Sequence, residues 1–144
     1  MSLSNATENQ VLKCLLQGTD PSYRSGATQY IALVTDAGGG ANVSEATPIA
    51  NECTYTGYAR VAITKATGWT DSGSSFTNAA QILFGKRTDG GATQTATAFV
   101  VVDTGPGGGT AINMGIIGDL TADLDISLNI QPLFEIGTLT VTAE

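Results

Sequence analysis

The chain has 144 residues, enough for one domain with a real core and too few for a second. Its residues are 42 % hydrophobic and only 13 % charged, against roughly 25 % charged in an average globular chain, and disordered chains show the opposite balance. The net charge of −7 leaves six basic residues, Lys13, Arg24, Arg60, Lys65, Lys86 and Arg87; so scattered, they exclude the concentrated basic surface that nucleic acid or an anionic membrane requires.

One helix is expected, at the start. Ser4 and Asn5 are both N-cap residues, and Asn5 with Glu8 makes a capping-box-like pair. Val11, Leu12, Leu15 and Leu16 then fall on one face, and Gly18 followed by Pro21 supplies a stop. The spacing predicts a helix over 5–17. Its apolar stripe must cover either the chain's own core or a neighbouring subunit.

Strands follow. With 18 Gly and much Thr and Val, the chain favours strands and turns. Residues 29–36 (QYIALVTD) are apolar on both faces, as in a central strand, and close at the turn Gly38–Gly40. Residues 37–56 form a long polar connection of the kind that reaches a partner. Strands are predicted over 58–65, 76–84, 95–102 and 112–117, with an exposed turn at 85–94 carrying the hairpin signal Asp89-Gly90 and a Gly-rich loop at 103–110. Leu124, Ile126, Leu128 and Ile130 alternate with polar residues, which predicts a strand with one wet face. In the last strand, 133–142, the apolar parity switches at Gly137, as a β-bulge would make it. About seven strands and one helix make a single all-β domain over 1–144, a β-sandwich or jelly-roll-like architecture.

Catalytic chemistry has little to work with. There is no histidine, so Ser-His-Asp and Cys-His mechanisms are excluded. Cys14 and Cys53 cannot make a four-cysteine zinc site and read as two free thiols, with one disulfide the alternative. Gly105–Thr110 and Gly38–Gly40 lack the lysine and following helix of a phosphate loop. Asp119, Asp123 and Asp125 do not have calcium-loop spacing and read as the wet face of a strand. No pair of carboxylates is singled out for glycoside hydrolysis. Trp69, the sole tryptophan, is a core or loop-packing residue or else an interface anchor. Tyr23, Tyr30, Tyr55 and Tyr58 are not interleaved with basic residues as in a single-strand platform. The sequons at Asn5 and Asn42 mean little without the basic start and apolar core of a secretory signal, which MSLSNATENQ lacks. No run approaches the ~20 apolar residues of a membrane span. No catalytic, cofactor-binding or metal-binding residue is therefore assigned, and no cofactor is expected.

Four segments in order carry a resemblance: MSLSNATEN with the Leu-rich helix, TQYIALVTDAGG, the loop ending in TGYAR, and the closing IQPLFEIGTLTVTAE. Together they resemble a family of small bacteriophage virion proteins, labelled tail-fibre or minor structural proteins; some similar phage β-domains serve as capsid cement or decoration. Gly137, Leu139, Thr140 and Thr142 match the family's closing G-x-LT-x-T. Residues 86–98 depart from it, being Gly/Thr/Ala-rich where the family carries a tryptophan-containing stretch. The resemblance implies a non-enzymatic virion protein, made in the host cytoplasm and built into the particle. Its partner would be the major capsid protein, bound as capsid cement by a homo-oligomer, with a trimer suiting a symmetry axis. Alternatives are a tail-fibre, baseplate or adaptor component, or a receptor- or carbohydrate-binding module.

Overall fold

The computed structural model of the chain describes residues 2–35 and 44–142. The Gly38–Gly40 turn and the Asn42 sequon lie outside them. Two strands form the centre. β2 (Thr28–Thr35) and β7 (Gln94–Val102) pair antiparallel, with Tyr30 opposite Val102 and Leu33 opposite Phe99. Both are buried on both faces, as their near-continuous apolar runs require. Ile31, Leu33, Phe99 and Val101 enter one core; Ala32, Val34, Val100 and Val102 enter another on the opposite side.

β8 (Gly115–Ile126) lies outside β7, and the two-residue β1 (Ser2–Leu3) outside β8. β3 (Val61–Thr64) edges β2, giving a five-stranded antiparallel sheet in the order β1-β8-β7-β2-β3. Two small sheets cover its first face. One is β4 (Trp69–Asp71), β5 (Ser75–Asn78) and β10 (Thr140–Thr142); the other is β6 (Ile82–Leu83) with β9 (Leu133–Phe134). Ile82, Phe84 and Leu139, with half-buried Trp69, Phe134 and Val141, pack there against the central strands. The second face is closed by Ile49, with Tyr30 and Ile112 packed beside it. Gly118 sits opposite Phe99, and a Cβ on it would come within 2.3 Å of the phenyl ring. The ring therefore lies across the glycine, covering backbone that no side chain of its own could cover.

The expected helix is α1 (Asn5–Gln17). Its N-cap is Ser4, whose Oγ accepts from Thr7 N at 3.3 Å. Asn5 is thus inside the helix, and the Asn5–Glu8 capping box does not form. Gly18 ends the helix at φ 66°, with its N–H on Cys14 O in an αL closure and that of Thr19 on Lys13 O. The helix start is clipped to the sheet edge: Ser4 N donates to Gly115 O at 2.8 Å and Gly115 N to Thr7 Oγ1 at 2.8 Å.

The fold is all-β with one N-terminal helix, as expected, but the strand divisions differ. Among the described residues ten strands are seen rather than about seven. The predicted strand 76–84 is cut by Asn78. Its buried amide donates to Ala80 O and Glu135 O, both at 2.8 Å, and accepts from Leu139 N at 2.9 Å. A side chain that bonds the backbone in this way competes with the ladder. Conversely, the end of 112–117 and the start of 124–130 merge into one bulged strand, β8, where Ala98 pairs with Asp119 but Ala96 with Leu124. Leu128 and Ile130 fall beyond it and are exposed. Gly137 is a turn residue at φ 77° between β9 and β10, not a bulge within one strand. Asp89-Gly90 joins no hairpin, because β6 pairs with β9 and β7 with β2 and β8.

Asn78→Ala is expected to destabilise the domain by at least about 1–3 kcal/mol, because it strands the buried Leu139 N–H without a partner. Urea denaturation measures this, and a change within error of zero would remove Asn78 from its proposed place at the junction.

Candidate functional site

The buried arginines bond to groups of the fold itself. Arg60 is buried and clasps Glu52 with two bonds, Nε to Oε1 at 2.8 Å and Nη2 to Oε2 at 2.7 Å. Its remaining donors reach the Gly-rich loop, at Thr104 O (2.7 Å), Gly105 O (3.2 Å) and Gly109 O (2.8 Å). Tyr58 Oη donates to Glu52 Oε1 at 2.8 Å and accepts from Leu33 N at 3.0 Å. Burial, with Glu52 next to it, pushes the Tyr58 phenol far above its ordinary value. The bond to Glu52 holds the Arg60 guanidinium protonated.

Arg87 makes a second such clasp. Sequence placed it in an exposed turn, yet it is buried, with Nε and Nη2 on Asp89 Oδ1 and Nη1 on Ile126 O at 2.6 Å. Asp89 also accepts from Thr56 N and Gly91 N. The Thr56 amide first, then Arg87, holds its carboxyl well below the usual carboxylate range. Among the described residues, no buried side-chain N or O lacks a hydrogen-bond partner. These groups knit loops to strands.

Other candidates are likewise placed. Cys14 and Cys53 are both free; burial pushes the Cys53 thiol up to about 12, which makes it a poor nucleophile. Asp119, Asp123 and Asp125 are exposed on β8, and Thr95 Oγ1 donates to Asp125 at 2.6 Å. Among the described residues no three His, Cys, Asp or Glu side chains are grouped to hold a metal ion. Among the described residues no helix is long and apolar enough to cross a membrane.

What remains is surface. On α1, Thr7 is buried and Gln10, Val11 and Cys14 are half-buried, so the i, i+3, i+4, i+7 set seats the helix on the domain. Leu12, Leu15 and Leu16 are 55 %, 75 % and 79 % exposed. At roughly 100° per residue they centre on the side of the helix opposite that seat, with Glu8 one turn before Leu12. The sequence stripe is therefore divided: Val11 turns inward and the leucines turn out. A second apolar surface lies on β6 and β9, where Leu83 and Leu133 are register partners and both exposed, with exposed Ile136 nearby in the chain.

The third feature is concave. An open groove of about 260 Å³ lies between the five-stranded sheet (Gln29, Val101, Ile116) and the three-stranded one (Trp69, Phe76, Val141), with Lys65 also among its lining residues. Trp69 Nε1 donates to Gln29 Oε1 at 3.1 Å, which fixes the indole. Trp69 thus serves both packing and surface, while Phe76, exposed on its strand, is a residue that periodicity alone did not single out. Lys65 Nζ donates to Tyr23 O.

A family model described as "Podophage GP4 fiber I protein gp80" matches residues 2–142, nearly the whole chain. No curated protein matches it.

Arg60→Met is expected to lower stability by about 3–5 kcal/mol, since it leaves Glu52 uncompensated and three loop carbonyls without their donor. Arg60→Lys should not restore it, because a point cation cannot make the two-pronged bond; equal stability of either variant in urea would contradict the assignment. The phenols give a pH test. Burial pushes Tyr55 up to about 12 and Tyr58 higher. Their contribution is complete below the unfolded value of ~10 and is lost as pH rises toward the folded values. Tyrosinate absorbance should show both ionising together with alkaline unfolding rather than before it.

Proposed function

This chain belongs to the podophage GP4 fiber I protein gp80 family, and we propose that it works in the virion as a non-enzymatic fibre subunit. It is a phage structural protein located in the virion. The observation that carries the finer reading is the outward leucine face of α1 on a domain whose two cores are already closed. A monomer gains nothing from three exposed leucines on one helix, whereas an assembly contact buries them.

The sequence leaves capsid cement and fibre component both open. The family description, a fibre protein, supports the fibre placement more directly than attachment to the major capsid protein. In this reading the subunit is part of a homo-oligomer and touches other virion proteins through the α1 face and the Leu83–Leu133 surface. Catalysis has no part in it, in keeping with polar groups that are spent on the fold.

Leu15→Glu with Leu16→Glu tests this. Both side chains point to solvent, so melting should shift by no more than a few degrees, as expected of exposed positions. Incorporation into particles, read by labelling the protein in electron micrographs, should fall to background, and wild-type label should sit on fibres. Label on the head shell would overturn the fibre placement; normal incorporation of the double variant would overturn the role of α1.

A further inference from the structure

We propose that the leucine face of α1 seats in the Trp69–Phe76 groove of a second copy of this chain. This rests on the reading of α1 as an assembly surface and names its partner. The two surfaces are complementary in shape. Leu12, Leu15 and Leu16 project from a helix, and the groove is concave and lined mainly by Trp69, Phe76, Val101, Ile116 and Val141. At about 260 Å³ it lies under the ~300–1,000 Å³ typical of clefts for whole small molecules, and is a size that side chains fill.

They are also complementary in charge. Glu8 lies on the exposed side of α1, one turn before Leu12 and two before Leu15. Lys65 is one of the residues that line the groove. Among the described residues neither forms a salt bridge within its own chain. Docking the leucines into the groove brings the carboxylate of one copy to the ammonium of the next. Lys65 retains donors for it beyond the one held by Tyr23 O. An acid on the convex surface and a base on the concave one favour this pairing.

The contact is heterologous: each copy offers a stripe to one neighbour and a groove to another, so it closes into a ring where the rotation allows. The Leu83–Leu133 surface is left free for different virion proteins.

That geometry gives a mixing test on the full-length chain, read by sedimentation and by the emission of Trp69, the only tryptophan. Wild type should self-associate, with blue-shifted emission on association. Leu12→Ser/Leu15→Ser and, separately, Phe76→Ser should each weaken association about tenfold or more while melting like wild type. Mixed together, the two defective chains retain one intact stripe and one intact groove, and should form a 1:1 dimer that grows no further. Glu8→Lys and Lys65→Glu should each weaken association about 2–5-fold, and the double reversal should restore it. A wild-type chain monomeric at high concentration, a mixture that fails to pair, or a double reversal no better than the singles would overturn the inference. If wild type is monomeric but the Leu15→Glu/Leu16→Glu chain still fails to enter particles, α1 docks on a different virion protein; the assembly role of α1 in the virion then stands and this inference falls. A Trp69 response to surface saccharides with no self-association would likewise overturn it.

Discussion

The structure depends on two strands with no free face. β2 and β7 lie side by side in the middle of the sheet, and their alternate residues enter separate apolar clusters. A sheet buried on both sides needs cover on both sides. Here the cover comes from within the β-domain: the two small sheets on one face, and the segment around Ile49 on the other. The helix is therefore not needed for the core. It is held at the sheet edge by the Ser4, Thr7 and Gly115 hydrogen bonds, seated on small and polar side chains, and its large apolar residues point outward. In most domains an amphipathic helix gains its stability by covering a core. Here the same pattern is turned toward solvent.

The polar interior follows the same division of labour. Arg60 ties the segment at Glu52 to the Gly-rich loop that leads from β7 to β8; Arg87 ties the stretch after β6 to the end of β8; Asn78 joins β5 to the turn before β10. Each sits where short strands must be connected without regular ladders to satisfy their backbone groups. Small sheets of two or three short strands have little stability of their own. These bonds, with the ring contacts of Phe84, Phe134 and Phe99, hold them on the larger sheet. The groove bounded by Trp69 and Phe76 lies where residues of the three-stranded sheet and of the larger one face each other.

Much of this was legible in the sequence. The helix bounds, the Gly18 stop, the central strand beginning near residue 29 and the strand ending at Val102 all follow from local signals. What was not legible depends on partners distant in the chain. Asn78 breaks a strand only because Glu135 and Leu139 come to it. Arg87 looked like a solvated turn residue because neither Ile126 nor its own burial can be read from KRTDGG. The leucine stripe was visible, but whether it faced inward depended on how completely strands had closed the core. Phe76 gave no signal, since a lone phenylalanine in an alternating strand reads as core.

The central claim is that the β-domain is complete without α1, whose exposed face is kept for assembly. Amide hydrogen exchange on the free chain and on the same chain in its assembled state tests it most directly. The account predicts the slowest exchange in β2 and β7, fast exchange along α1 in the free chain, and marked protection of α1 on assembly. If α1 were as protected as β2 in the free chain and unchanged by assembly, the helix would belong to the core and the account would be wrong.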